Sequence, residues 1–74
     1  MTYNLQTAVN HAARELPEGW QILISVERGS GWAELFNADG GKEEPNLSDL
    51  ELFDQVYACT KFARAAQSKT PEGQ

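Results

Sequence analysis

A lone cysteine, a lone histidine and a run of carboxylates are the residues of this 74-residue chain that could do chemistry. Cys59 would serve as a nucleophile or metal ligand only as a thiolate, which needs a base beside it. Helical spacing instead puts Cys59 on a buried stripe and His11 on the solvent side of a different helix, so Cys59 is expected to be a small core residue. Asp49, Glu51 and Asp54 would have to converge to act as acid and base, yet at their spacing on a helix they point three ways. Their simpler work is to cap a helix and offset its dipole. Asp39-Gly40-Gly41 lacks the alternating ligands and distal glutamate of a calcium loop. Gly29-Ser30-Gly31 leads into a strand and has no following lysine, unlike a phosphate cradle. No metal, cofactor or catalytic set is expected, and the chain reads as non-enzymatic.

The elements that position these residues follow from hydrophobic periodicity. Leu5, Ala8, Val9, Ala12 and Leu16 recur at helical spacing and predict a first helix, capped by Thr2 or Asn4 and stopped by Pro17. His11, Arg14 and Glu15 fall on its wet side. From Trp20 to Glu27, residues Trp20, Ile22, Ile24 and Val26 alternate with Gln21, Leu23, Ser25 and Glu27, the period of a strand with one buried face. Gly29-Ser30 is expected to be a two-residue hairpin loop into a second strand, Trp32 to Asn37. That register opposes Glu27 to Trp32, Val26 to Ala33, Ile24 to Leu35 and Leu23 to Phe36. Asn37-Ala38-Asp39-Gly40-Gly41 is a second turn, after which Lys42 to Glu44 can add a short third strand before Pro45. Ser48-Asp49-Leu50-Glu51 has the form of a capping box and predicts a second helix from Asp49 to Gln67, burying Leu52, Val56, Cys59, Ala63 and Ala66.

The expected fold is α+β, in the order helix, two- to three-stranded antiparallel sheet, helix (αββ(β)α), with both helices on one sheet face. Residues 1–67 are expected to form a single domain and Ser68 to Gln74 a flexible tail. Such a short chain buries only about 60% of its unfolded surface, which favours association. Trp20, Ile22, Ile24, Val26, Ala33 and Leu35 make the inner face of the sheet. Leu23, Trp32, Glu34 and Phe36 make the outer one, the expected binding surface for a protein partner or for a second copy of the chain.

The net charge of −5 comes from Asp39, Glu43, Glu44, Asp49, Glu51 and Asp54 against Lys42, the remaining charges cancelling. This acidic segment supports an alternative function, a decoy that imitates nucleic-acid phosphates in the basic groove of a DNA-handling protein. No basic stripe is present, so direct nucleic-acid binding is not expected. Ile22-Leu23-Ile24 is too short to span a bilayer and the N-terminus lacks a basic region followed by an apolar one. With one cysteine and no disulfide framework, a reducing cytoplasm is the expected location.

The order helix, strands, helix resembles the double-stranded-RNA-binding domain in topology over residues 4–67. That family grips phosphates with a basic cluster where this chain has Ser48-Asp49-Leu50-Glu51, so its function does not carry over. From Pro17-Glu18-Gly19-Trp20 to the Leu52-to-Ala66 helix, the chain is similar in size, acidity and lack of catalytic motifs to the short accessory proteins of bacteriophages and prophages. The resemblance implies binding to a host protein so as to inhibit or redirect it.

Overall fold

Asn4 starts the first helix, α1 (Leu5–Glu15), in a computed structural model that describes residues 4–69. Its Oδ1 accepts the Thr7 N–H at 2.9 Å while its own N–H donates to Thr7 Oγ1 at 3.1 Å, a reciprocal cap. Thr2, the other expected cap, lies outside the described residues. At the far end the Leu16 N–H donates to the Ala12 carbonyl and Pro17 ends the helix. The chain then turns through Gly19, whose φ of 90° is left-handed. A Cβ on Gly19 would sit 3.0 Å from that of Ala38, so glycine alone lets this loop rest on the turn across the sheet.

Two strands, β1 (Gln21–Glu27) and β2 (Ser30–Phe36), form the hairpin, but in a register different from the expected one. The loop is Arg28-Gly29, not Gly29-Ser30, so Ile22 opposes Leu35, Ile24 opposes Ala33 and Leu23 opposes Glu34. Gly29 sits at the second central position with φ 91°, the conformation a type II turn requires there. Moving the loop by one residue changes every partner by two, which leaves each side chain on the same face. The alternation therefore fixes the faces but cannot choose between these registers; the turn does. The third strand is present as β3 (Lys42–Glu43), antiparallel to β2, giving the order β1-β2-β3. Asn37 holds the connecting turn, its Oδ1 accepting the N–H groups of Asp39 and Gly41 at 2.9 and 3.0 Å.

The second helix, α2 (Leu52–Lys69), begins three residues later than the capping motif predicted. Ser48 donates its N–H to Asn46 Oδ1 at 3.1 Å, and Leu50 donates to the Leu47 carbonyl at 3.3 Å across a reverse turn. Asp49 stands inside that turn at φ 64°, incompatible with helix, so the Ser48–Glu51 box does not form. The helix also runs past Gln67 through Ser68 and Lys69, and the rest of the expected tail, residues 70–74, is outside the described part.

Helix α2 packs on β2 and α1 packs on α2, both on the same side of the sheet, as expected for this α+β order. Ala8, Ala12, Ala33, Leu35, Val56, Cys59 and Ala63 are buried at the junction, ringed by partly buried residues that include Trp20, Leu47 and Phe53. Thr60 is buried too, its hydroxyl donating to the Val56 carbonyl at 3.0 Å. The two helix starts make contrasting predictions. Asn4→Ala should lower unfolding free energy by about 1 kcal/mol. Ser48→Ala should change it by less than about 0.5 kcal/mol, because its hydroxyl caps nothing in this turn. Urea unfolding of both variants checks the assignment, and a Ser48→Ala loss as large as that of Asn4→Ala would contradict it.

Candidate functional site

Leu23, Trp32, Glu34 and Phe36 do share the outer face of the hairpin. In the observed register Leu23 opposes Glu34, Ser25 opposes Trp32 and Gln21 opposes Phe36. Each apolar side chain therefore has a polar neighbour across the ladder, in place of the expected Leu23–Phe36 pair. Leu23 is 41% exposed, while Trp32, Glu34 and Phe36 are half-buried. Lys42 reaches over from β3 and pairs with Glu34 at 3.3 Å. The surface can offer two rings, an aliphatic anchor and hydrogen-bonding groups to a partner, a composition suited to protein contact.

A second apolar surface was not expected. Ile24 and Val26, assigned to the core by alternation, are 37% and 76% exposed. Between α1 and β1 lies a groove walled by Val9, Ala13, Leu16, Ile22 and Ile24, with Val56 at its base. The cause is the width of the helix layer. Alanines at 8, 12 and 63 draw α1 and α2 close together, and Gln55 ties α2 to β2, accepting the Ala33 N–H at 2.9 Å. Two closely packed helices centred on β2 leave the inner side of β1 under-covered. The only hint in the sequence is the run of small residues on both helix stripes.

The remaining candidates are dispersed. Cys59 is fully buried, and burial pushes its thiol up from 9.0 to about 11, so it is not a thiolate at neutral pH. His11 is not on the wet side; its ring packs against Tyr57 with centroids 5.1 Å apart. Glu15, also assigned to solvent, is half-buried and pairs with Arg64 of α2. The misplacement has one origin, since α2 covers α1 on its His11 and Glu15 flank as well as on its alanine stripe. Among the acids, Asp39 lies in the β2–β3 turn and Glu43 accepts from Asn37 Nδ2 at 2.7 Å. Glu44 follows β3, Asp49 occupies the loop turn, Glu51 gives its carbonyl to the Gln55 N–H, and Asp54 is in the first turn of α2. Lys42 stands with Glu34, Glu43 and Glu44 at the β3 cleft, placing a positive charge among the acids there. Among the described residues no three His, Cys, Asp or Glu side chains group as metal ligands, and no helix is long and apolar enough to cross a membrane.

Compared with family models, curated proteins and solved structures, the chain matches none.

Burial of Cys59 has a consequence for stability at alkaline pH. The folded chain keeps the thiol proton up to about pH 11, whereas an exposed thiol releases it from about 9.0, so stability falls as pH rises between those values. The loss is on the order of 1.4 kcal/mol per unit at most. Urea unfolding of the parent and of Cys59→Ala at pH 8 to 10.5 should show a steeper alkaline decline in the parent. Parallel declines would mean that the thiol is not held protonated by the fold.

Proposed function

We propose that this chain is a non-enzymatic protein-binding module that presents the outer face of its sheet to a protein partner. The observation that carries this reading is the placement of Leu23, Trp32 and Phe36 on the face opposite both helices, interleaved with Ser25 and Glu34. Aromatic anchors set among polar groups suit a surface that must stay wettable when free and bury rings when bound. On this reading the chain is an accessory protein of the bacteriophage type and its partner a host protein, one whose activity the module inhibits or redirects. Excess negative charge along the β3 side would then steer encounter without anchoring the complex.

Affinity capture from a bacterial lysate, followed by titration of the purified partner, tests this. Leu23→Ser and Trp32→Ala should each weaken binding by about 2 kcal/mol or more, the scale of an interfacial anchor. Both variants should keep the parent's circular dichroism. Folded variants that bind as tightly as the parent would remove the outer face from consideration. Affinity that collapses with added salt would transfer the contact to Asp39, Glu43, Glu44 and their acidic neighbours, as the decoy reading requires.

A further inference from the structure

The two edges of this sheet are finished differently. At the β3 edge the strand is two residues long, both charged, with Pro45 close behind, and where β3 ends the Gln55 side chain takes up the Ala33 N–H. Short length, charge, proline and a covering side chain are the devices that keep an edge from pairing with another chain. The β1 edge has none of them. It is seven residues of Gln-Ile-Leu-Ile-Ser-Val-Glu, with no proline or lysine and with its single charge at one end.

The backbone groups on that free edge belong to Ile22, Ile24 and Val26. Ala33 turns its N–H away from β1 to Gln55, so its partner Ile24 forms a non-hydrogen-bonded pair and directs its own N–H and C=O outward. Period two extends this to Ile22 and Val26. The same three residues carry the under-covered inner face, Ile24 and Val26 exposed and Ile22 half-buried, so backbone left unpaired among the described residues and accessible apolar side chains coincide on one strand.

We propose that the β1 edge is where two copies of this chain join, strand antiparallel to strand, about a two-fold axis at Ile24. This register sets Ile24 against its own copy and Val26 against Ile22, which brings together every outward-facing residue of both strands and makes about six hydrogen bonds. Val26, at 76% exposure, is placed at the mouth of the other copy's groove beside Leu16 and Ile22. Charge selects the same arrangement. Antiparallel pairing puts Glu27 opposite the neutral amide of Gln21, whereas parallel pairing would set Glu27 beside its own copy. The result is a continuous six-stranded sheet with all four helices on one side and both outer faces left free.

Sedimentation velocity over a range of concentrations, with amide hydrogen exchange, tests the proposal. The parent should dimerise, and the amides of Ile22, Ile24 and Val26 should exchange more slowly as concentration rises. Val26→Lys puts an edge lysine at a site already exposed, so it should keep the fold while weakening dimerisation about 30-fold or more. Trp32→Ala, on the other face, should leave dimerisation intact, which keeps the test separate from the outer-face reading. A parent that stays monomeric with those three amides unprotected overturns the proposal. So does a dimer indifferent to Val26→Lys, and so does protection that develops only on adding a foreign protein.

Discussion

The side-chain amide of Gln55 sets the geometry on which the other contacts depend. Its Oε1 accepts the Ala33 N–H from the strand at 2.9 Å, and its Nε2 donates to the Leu50 carbonyl in the preceding loop at 3.1 Å. Its own N–H closes the first bond of α2 on Glu51 at 2.8 Å. One residue thus fixes where the helix begins, how it is rotated and which strand it crosses. A half-buried amide satisfied on both ends tolerates little sliding, because a shift of one turn would strand a strand N–H and a loop carbonyl together. Leu52 and Val56, one turn apart along α2 on the same side, can then reach the core only over β2.

From that anchor follows the lopsided coverage of the sheet. With α2 fixed over β2, α1 has to find its burial against α2, and it does so through Ala8 and Ala12, which permit close approach. The fully buried side chains are correspondingly small, the largest being Leu35, Val56, Thr60 and Cys59. A core of that size leaves apolar surface unburied, and apart from Phe62 of α2 the exposed large side chains are on β1 and α1. The guarded edge and the unguarded edge are therefore two outcomes of one constraint.

What the sequence disclosed was whatever periodicity can encode. The order of elements, the inner and outer faces and the burial of Cys59 follow from alternation or helical spacing, the short third strand is allowed by the turn before it and the proline after it, and the fold has them. Two features misled because local chemistry admitted more than one solution. Gly29 could serve either hairpin loop, and a two-residue change of partners is invisible to a period of two. Ser48-Asp49-Leu50-Glu51 satisfies a capping box on paper, yet Asn46 captures the Ser48 N–H and Asp49 takes a left-handed conformation, so the segment closes as a turn before the helix starts. The exposure of Val26 was beyond periodicity altogether, since it depends on how wide the helix layer is. The sequence placed Leu23, Trp32, Glu34 and Phe36 on one face correctly and misjudged only who stands opposite whom.

That β1 carries Leu23 on one side and Ile24 on its free edge links the two proposed surfaces physically. Antiparallel joining at Ile24 puts each Leu23 opposite Ser25 of the other copy, so the two outer faces merge across the axis without burying either. A partner with a repeated epitope would meet two sets of rings at fixed spacing, and the second contact would form at the high effective concentration of an attached site. Pairing would also protect the strand that most needs it. A seven-residue edge of alternating aliphatics is the part of this molecule most prone to indiscriminate association, and closing it in a two-fold symmetric ladder leaves only the guarded β3 edges facing other chains.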